Sequence, residues 1–286
     1  MKRCLVTGAN RGLGFEIARQ LAAEGHLVVL GCRDHDRGDE AVARIRQEGG
    51  EAEFLRVDLE DPASLERAAA HARAHWDGLD VLVHNAGFFG LEREETEAGI
   101  ERTLAVNVLG PWQLTRVLLP RLLAARGRVV QLAGIYAKKG RLHEDLQLTT
   151  GWTSKDASNQ AQLARVLLVR ELARRHPELE VLAVHPGGVL TGAQDVLGWP
   201  ARLLIRTLLR PGFRTPVQAA GPIVRLALDP LQAPSGSFWN RTRLVEPWPA
   251  LEAADTARLV AALDALPGPH DAESARIPPG SDTSAG

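Results

Sequence analysis

The chain has 286 residues, and its 34 lysines and arginines nearly balance 35 aspartates and glutamates, which gives a formal net charge of −1. A balance this even provides no general electrostatic attraction to nucleic acid or to an anionic membrane surface. Two cysteines, Cys4 and Cys32, exclude a disulfide-rich scaffold and a zinc module built on cysteines. No apolar stretch approaches the length of a membrane span, and the first residues lack the apolar segment of a signal peptide. We therefore expect a globular cytoplasmic protein with no membrane and no nucleic-acid partner.

Short apolar runs alternate with longer segments of helical periodicity along most of the chain. The apolar runs predict buried strands at residues 5–6, 27–30, 52–57, 81–83, 129–132 and 181–184. The periodic segments predict helices at residues 12–24, 36–48, 62–76, 96–125 and 157–176. Such alternation predicts a doubly wound α/β fold, in which helices cover both faces of a parallel sheet.

Two regions depart from this alternation. Residues 191–216 carry Trp199 and an apolar segment at 203–205 between arginines, which predicts either a short helical lid over a pocket or a surface helix that caps the core. Residues 267–286 contain almost no large apolar side chains, so we expect a disordered tail. The remaining chain, residues 1–266, is predicted to form a single domain.

The turn after the first predicted strand has the sequence Gly-Ala-Asn-Arg-Gly-Leu-Gly. In such a loop the first glycine allows a tight turn, the second lets the backbone approach a phosphate, and the third lets helix and strand pack closely. The helix that follows offers free N–H groups to a pyrophosphate. This context favours a dinucleotide site over a glycine turn that serves packing alone. The predicted contact residues are Gly8, Asn10, Arg11, Gly12, Leu13 and Gly14.

The second predicted strand ends in Gly-Cys-Arg-Asp at residues 31–34. A dinucleotide domain that selects NAD usually places a carboxylate here for the ribose 2′-hydroxyl, whereas an arginine suits the 2′-phosphate of NADP. Arg33 occupies this position, and Arg11 could contact the same phosphate through paired hydrogen bonds. We therefore predict NADP(H) as the cofactor, while a shift of one residue would place Asp34 there and reverse the preference.

With these motifs the chain resembles the short-chain dehydrogenase/reductase family, and most of all its retinol-dehydrogenase-like branch. The matching segments, in order, are residues 7–14, 58–59, 85–87, 107, 185–187, 191, 236–239 and 254–256. The resemblance covers about residues 1–266 and implies one Rossmann-type domain with a seven-stranded parallel sheet. It also implies cofactor contacts near the adenine, the ribose and the nicotinamide. These contact residues are Asp58, Leu59, Asn85, Ala86, Gly87, Pro186, Gly187, Val189 and Thr191.

The resemblance further implies a catalytic serine, a Tyr-x3-Lys pair and a helix asparagine. Alignment of the fifth strand and the following helix with the family pattern puts Gly134 at the serine, Ser158 at the tyrosine and Gln162 at the lysine. A rival alignment on Lys155 lengthens the connection to the sixth strand by about seven residues, so we reject it. Of the family's catalytic residues, only Asn107 then remains.

Three functions stay open for a chain with this pattern. It is an NADP(H)-dependent oxidoreductase with a substitute proton donor, a non-redox enzyme such as a cyclase, isomerase or lyase, or an inactive NADP(H)-binding sensor or partner subunit. Candidates for the donor are Tyr136, Lys138 and His143, which follow the fifth strand, although an exposed turn is the plainer interpretation for Tyr136. Ser158 could bind a substrate oxygen, and Gln162 could bind the ribose hydroxyls.

The tryptophans and an apolar segment predict the character of the substrate. Trp152, Trp199 and residues 203–205 favour an apolar pocket that suits a small lipid-like or aromatic compound. His71 and His75 have the spacing of a metal pair, but no third ligand follows, so we predict no metal site. His84, at the end of the fourth strand, is predicted to be buried and hydrogen-bonded.

The long helices at residues 96–125 and 157–176 raise the question of a dimer. In the family that the chain resembles, these helices commonly form a dimer interface, so a homodimer is expected here. The alternative is that their apolar side chains face the sheet of the same chain. The side chains concerned are Leu163, Val166, Leu167 and Leu172.

Overall fold

The computed structural model describes residues 1–189, 213–246 and 253–269. Its sheet has the strand order β3-β2-β1-β4-β5-β6-β7-β8. The strands are β1 (Arg3–Thr7), β2 (Leu27–Cys32), β3 (Ala52–Arg56), β4 (Val81–His84), β5 (Arg128–Leu132), β6 (Glu180–His185), β7 (Ser237–Asn240) and β8 (Arg243–Val245). Neighbouring strands are parallel as far as β7, and β8 pairs with β7 in the antiparallel direction.

Helices cover both faces of this sheet, as the alternation predicted. The helices are α1 (Gly12–Ala23), α2 (His35–Gln47), α3 (Pro62–His75), α4 (Arg102–Leu104), α5 (Gly110–Ala125), α6 (Ser154–Arg175), α7 (Pro216–Leu228) and α8 (Ala253–Asp264). A π-helical turn (Ala105–Leu109) joins α4 to α5, and a 3-10 helix (Ile135–Lys139) follows β5. One core contains side chains of α3, α5, α6 and α8, and the other contains those of α1, α2 and α7. The structure confirms a Rossmann-like, doubly wound fold.

Strand β1 shows why the predicted strands are apolar without alternation. The side chain of Leu5 lies in one core, while those of Cys4 and Val6 lie in the other. All three are 0% exposed. A strand covered by helices on both faces needs apolar residues at every position, so its sequence is a continuous apolar run.

The predicted helix at residues 96–125 is wrong in its first part. Residues 96–101 form a turn instead, in which Gly99 has a φ of 74° and donates its N–H to Thr96 O at 2.9 Å. The helical segment begins only after Glu101, whose carboxylate accepts hydrogen bonds from the N–H groups of Thr103 and Leu104. This carboxylate cap fixes the start of α4, because it satisfies N–H groups that have no partner within the helix.

The seven parallel strands that the resemblance implies are present as β1–β7, and the described sheet adds an eighth, antiparallel strand. Arg241 adopts a φ of 59° and donates its N–H to His185 O at 2.9 Å. This left-handed residue reverses the chain after β7, so that Arg243 pairs with Asn240. The three-residue strand that results has no sequence periodicity of its own.

Most of the predicted lid, residues 191–216, lies outside the described residues, as does nearly all of the predicted tail. At the edge of the lid, Arg214 donates its N–H to Gly188 O at 2.8 Å. At the start of the tail, Pro267 O accepts a hydrogen bond of 2.8 Å from Gln113 Nε2 on α5. The domain boundary at residue 266 therefore stays a proposal.

The apolar side chains of α6 face the core of their own chain. The four that were considered for a dimer interface are at most 5% exposed: Leu163, Val166, Leu167 and Leu172. They are thus not available to a partner, and the homodimer remains a prediction from the resemblance alone. Within the described ranges, no helix is both long enough and apolar enough to cross a bilayer.

We expect removal of residues 270–286 to leave the melting temperature unchanged within about 2 °C, because this segment offers almost no apolar surface to bury. The matched control ends at residue 252 and removes α8, whose Leu259, Val260 and Leu263 are 1%, 5% and 1% exposed. Loss of three buried aliphatic side chains should lower the melting temperature by at least about 10 °C. Thermal unfolding of the two truncated chains measures both effects. An equal drop in the longer chain would show that the tail docks on the domain.

Candidate functional site

Four segments meet at the carboxyl ends of the parallel strands. The strand order reverses between β1 and β4, and in folds of this kind a crevice for ligands opens at that point. The segments follow β1, β4, β5 and β6 and comprise residues 8–14, 85–90, 133–140 and 185–189. They contain most of the residues that the sequence predicted for the site.

The glycine loop after β1 has the geometry of a phosphate cradle. Gly8 and Gly12 have φ angles of 64° and 60°, in the left-handed region that favours glycine. A Cβ on Gly14 would lie 2.3 Å from both Asn85 Nδ2 and Gly8 O, so no side chain fits there. A Cβ on Gly12 would meet no atom within 4 Å. The N-cap residue of α1, Arg11, makes no side-chain capping bond, so no side chain at the N-cap satisfies the first N–H groups of this helix.

The segment after β4 braces this loop. Asn85 Nδ2 donates to Thr7 O at 3.0 Å and to Gly8 O at 3.3 Å. The hydroxyl of Thr7 accepts from the N–H groups of Asn85 and Ala86, both at 3.1 Å. These bonds join β1 to β4 at their carboxyl ends and hold the glycine loop in place.

At the end of β2 the structure separates Arg33 from Asp34. The Asp34 carboxylate caps α2, where its Oδ1 accepts a hydrogen bond of 3.1 Å from Arg37 N. The Arg33 side chain is 62% exposed, with one nitrogen 3.9 Å from Glu60 Oε2. The acidic side chain is therefore directed to its own helix, and the arginine lies at the surface beside the crevice.

Three further residues were predicted to contact the cofactor, and they expose different groups to the crevice. Leu13 and Leu59 are 7% and 9% exposed, and their side chains belong to the two cores. Their apolar side chains pack in the cores on either side of the sheet, so only their backbone groups can face a cofactor. Asp58 is half-buried, and its carboxylate accepts a hydrogen bond of 3.1 Å from Glu60 N.

At the end of β6, Gly187 has a φ of 90° and lies against Arg241. A Cβ on Gly187 would stand 3.0 Å from Arg241 Nε, a buried nitrogen without a hydrogen-bond partner among the described residues. Pro186 and Val189 are half-buried beside this glycine, whereas Thr191 lies outside the described residues. Sequence reasoning missed Arg241, since its position depends on the turn between β7 and β8.

The structure brings Gly134 and Gln162 together. Gly134 N donates to Gln162 Oε1 at 2.5 Å, and a Cβ on Gly134 would lie 3.3 Å from Gln162 Cδ. These are the positions that the alignment assigns to the family's serine and lysine. Ser158 is half-buried on the preceding turn of α6.

The candidate proton donors after β5 lie in more open surroundings. Tyr136 is 58% exposed in the 3-10 helix, and Lys139 Nζ lies 5.7 Å from the centre of its ring. Lys138 is exposed. His143 is half-buried, and its carbonyl accepts a hydrogen bond of 3.1 Å from Arg258 of α8. The turn that carries Tyr136 is thus at the surface, as the plainer interpretation expected.

The π-helical turn presents Asn107 to the segment after β4. Asn107 Oδ1 accepts from Phe88 N at 2.9 Å and from Arg165 at 2.7 Å, while its Nδ2 donates to Phe88 O at 2.7 Å. The asparagine side chain is therefore occupied in holding the backbone after Gly87. Widened turns of this kind are frequent at functional sites, because they redirect one side chain out of the helical register.

Arg165 is the residue that sequence reasoning overlooked most clearly. Its side chain is 7% exposed, and burial lowers the pKa of its guanidinium to about 10. The only signal in the sequence is an arginine within the apolar segment at residues 163–169. Such an arginine commonly extends its charge to solvent, so the pattern alone does not place it inside the protein.

The histidines take structural positions. His84 is 2% exposed, and its Nε2 lies 2.7 Å from Thr115 Oγ1, which itself donates to Pro111 O. Nε2 is therefore assigned the proton, and burial lowers the pKa of His84 to about 3, so that the ring is neutral. This confirms the predicted buried histidine. The rings of His71 and His75 are tilted against each other with centres 4.6 Å apart, and no group of three metal-ligating side chains occurs in the described parts of the chain.

Comparisons with known proteins show the family to which the chain is related. A family model described as short chain dehydrogenase matches residues 2–198. Retinol dehydrogenase 14 of Mus musculus is 33% identical over 258 residues, which cover 84% of this chain and 77% of that protein. Dehydrogenase/reductase SDR family member 13 of Homo sapiens is 35% identical over 265 residues, covering 87% and 68%. A structure from Beutenbergia cavernae, described as an NAD(P)-dependent gluconate 5-dehydrogenase with bound NADP, has a TM-score of 0.70 at 28% identity and covers 84% and 94%.

We expect Gly14→Ala to lower the free energy of unfolding by about 1–3 kcal/mol, because the added methyl group must displace Asn85 or Gly8. The same displacement should weaken NADPH binding at least about tenfold, since the phosphate cradle depends on the position of this loop. The matched control is Gly221→Ala on α7, where the nearest atom to the new Cβ is 3.7 Å away. It should leave binding unchanged and stability equal or higher by about 0.5–1 kcal/mol. Chemical denaturation and fluorescence titration would detect these effects, and wild-type binding by Gly14→Ala would contradict the assignment of the cradle.

Proposed function

The chain belongs to the short-chain dehydrogenase/reductase family, in its retinol-dehydrogenase-like branch, and we propose that it is an NADP(H)-dependent oxidoreductase that interconverts a carbonyl and an alcohol. The family is one of oxidoreductases that bind NAD or NADP and act on small molecules. The observation that carries the proposal is the intact phosphate cradle. Its open space above Gly12, its glycine at position 14 and its uncapped α1 terminus fit a dinucleotide pyrophosphate.

In the proposed complex, the residues of the crevice divide the cofactor among them. The glycine loop from Gly8 to Gly14 binds the pyrophosphate, and Asp58 lies near the adenine. The segment 85–87 lines the nicotinamide ribose. Gln162 Oε1 already accepts a hydrogen bond from Gly134 N, so it is the amide nitrogen of Gln162 that donates to the ribose hydroxyls. Pro186, Gly187, Val189 and Thr191 line the nicotinamide end.

The choice of NADP(H) over NAD(H) rests on Arg33. Its side chain is 62% exposed beside the crevice, and Arg11 in the glycine loop is exposed as well. Asp34, the side chain that would favour NAD, is held by α2. Two guanidinium groups suit a 2′-phosphate, which forms paired, charge-assisted hydrogen bonds with arginine. The NADP in the structure from Beutenbergia cavernae supports the same choice.

We expect Arg33→Ala to weaken NADPH binding by about 1–3 kcal/mol more than NADH binding, the effect of losing a charge-assisted contact to phosphate. Arg37→Ala is the matched control, because Arg37 lies four residues further along, in the first turn of α2, and pairs with Asp34 at 3.6 Å. It should leave the NADPH/NADH preference unchanged. Titration with both cofactors measures the difference. Equal weakening of NADPH and NADH by Arg33→Ala would show that this side chain does not contact the 2′-phosphate.

The reaction needs a proton donor in place of the family's tyrosine. Bound NADPH supplies a hydride, and the oxygen of the reduced carbonyl then requires a proton. Tyr136 carries the only phenol of the chain, and the ammonium group of Lys139 lies over its ring. We assign the proton to Tyr136 and a hydrogen bond to the substrate oxygen to Ser158. Asn107 keeps the segment after Gly87 in position.

Apolar side chains at the mouth of the site favour an apolar substrate. Phe89, Leu91 and Tyr136 are 42%, 56% and 58% exposed. Trp152 is half-buried, and its indole N–H donates to Glu101 Oε1 at 3.2 Å, which fixes the orientation of the ring. Relatives named retinol dehydrogenases support a lipid-like alcohol or aldehyde as the substrate class.

A second candidate function is an NADP(H)-binding protein without redox activity, either a sensor or an enzyme of cyclase, isomerase or lyase type. The observation that favours it is the direct bond from Gly134 N to Gln162 Oε1. The side-chain amide of Gln162 therefore occupies the space that the resemblance assigns to the side chains of the catalytic serine and lysine. This candidate keeps the same cofactor site and differs in the chemistry after binding.

The two candidates are separated by turnover of NADPH with aldehydes, ketones and quinones. For the oxidoreductase we expect measurable carbonyl reduction, and Tyr136→Phe should lower kcat by about 10²–10⁴-fold, the usual contribution of a positioned acid. Lys138→Met is the control at an exposed neighbouring position and should retain activity. NADPH binding without turnover, or full activity in Tyr136→Phe, would contradict the proposed mechanism.

The triple variant Gly134→Ser, Ser158→Tyr, Gln162→Lys tests the alignment itself. A Cβ at position 134 would stand 3.3 Å from Gln162 Cδ, so the side chain at position 162 must shift by a few tenths of an ångström to admit the serine. Restored serine, tyrosine and lysine should act as a unit, with a rate above the sum of the single variants. A folded triple variant that binds NADPH but reduces nothing would show that these three positions do not converge on the substrate.

A further inference from the structure

Helix α6 places the guanidinium of Arg165 in the floor of the candidate site. Its Nε donates to Asn107 O at 2.7 Å, and one terminal nitrogen donates to Leu132 O at 3.1 Å. The other terminal nitrogen donates to Asn107 Oδ1 at 2.7 Å and to Ala86 O at 3.4 Å. The side chain thereby joins the ends of β4 and β5 to the π-helical turn.

All of these acceptors are neutral. Within residues 1–189, 213–246 and 253–269, no carboxylate lies at ion-pair distance from this guanidinium, and burial alone lowers its pKa to about 10. Arg165 is thus still protonated at neutral pH. A buried charge without a counter-charge is costly, and a neutral donor could bond the same carbonyls at a lower cost. Packing by itself therefore does not account for a charge at this point.

The position of the charge relates it to the cofactor segment. A Cβ on Gly87 would stand 3.6 Å from a terminal nitrogen of Arg165. Gly87 belongs to the segment assigned to the nicotinamide ribose. Gln162, one helical turn before Arg165, occupies the alignment position of the family's lysine and carries no charge. Helix α6 therefore does carry a cation, but this cation is Arg165, one turn after Gln162. Its charged group lies beneath the backbone of the segment that contains Gly87.

We propose that Arg165 provides the positive charge of this site and makes it bind NADPH in preference to NADP+. The inference rests on the proposed function, since it takes NADP(H) as the ligand. The two forms carry the same phosphates, but the oxidised nicotinamide ring is positively charged and the reduced ring is neutral. A fixed cation below the site repels only the oxidised ring, and a low local dielectric constant strengthens this repulsion. Because Gly87 and Asn107 cover the guanidinium, Arg165 is a positioning residue that acts through its field and through Asn107.

The test compares the dissociation constants of NADPH and NADP+ for the full chain and for Arg165→Gln and Arg165→Lys. Phosphate contacts cancel in the ratio of the two constants. Arg165→Gln should lower the preference for NADPH by about tenfold, the effect of one buried unit charge at an effective dielectric constant of about 20, and Arg165→Lys should keep it within about threefold. Loss of a purely structural contact would weaken both forms equally. An unchanged ratio in folded Arg165→Gln therefore overturns the inference.

If Arg165→Gln does not fold, Gln131→Glu takes its place in the test. Gln131 and Arg165 line the same small cavity, and Gln131 Nε2 and a terminal nitrogen of Arg165 both donate to Leu132 O at 3.1 Å, so a carboxylate at position 131 should pair with the guanidinium and offset its charge. The same fall in preference is expected, and a folded Gln131→Glu with the wild-type ratio overturns the inference. Wild-type protein that binds neither nucleotide overturns the proposed function and this inference together. Binding without turnover contradicts the oxidoreductase alone and leaves the ratio to decide the role of Arg165.

Discussion

The hydrogen bonds from Asn85 to the end of β1 are the contact on which the rest of the site depends. After β1 the chain continues to α1 on one face of the sheet, and after β4 it continues toward α5 on the other. The Asn85 amide joins the two strand ends where these paths part, through its bonds to Thr7 O and Gly8 O. The same amide lies where a side chain at Gly14 would have to stand, so it sets the requirement for glycine there and the close approach of α1.

A second layer of contacts supports the opposite side of the crevice. Asn107 leaves the helical register in the π-helical turn and pins the backbone at Phe88 through two hydrogen bonds. Arg165 in turn holds Asn107 through both its carbonyl and its side-chain oxygen. The segment from Asn85 to Phe88 is thus fixed from both ends, and its geometry follows from β1 on one side and from α6 on the other.

The sequence predicts those parts of the structure that are determined by residues close together in the chain. Strands buried on both faces produce apolar runs, and the runs predicted for β1 to β6 lie within two residues of the observed strand ends. The glycine loop produces its own spacing, and it follows β1 as predicted. The start of α4 was not predicted, because it depends on the carboxylate of Glu101 and on a left-handed Gly99, which leave the helical pattern of the preceding residues unchanged.

Arg165 and Arg241 were missed for a related reason. Their environments are made by elements distant in sequence: Arg165 by β4, β5 and the π-helical turn, and Arg241 by the turn after β7. A sequence pattern places such side chains on a helix or a turn, but it contains no information about the carbonyls that surround them. The buried cation of the site is therefore a property of the tertiary structure alone.

The short strand β8 affects how readily the edge of the sheet could pair with a strand of another molecule. Without it, β7 would present the backbone groups beside Phe238 and Trp239 as an open sheet edge, a template for pairing with another chain. The antiparallel return of Arg243–Val245 occupies these groups along only three residues, two of which are exposed, and one of these is a charged arginine. A short edge strand that carries a charge offers little surface for a further strand to add. The left-handed turn at Arg241 therefore leaves the described sheet with a poor template for pairing at this edge.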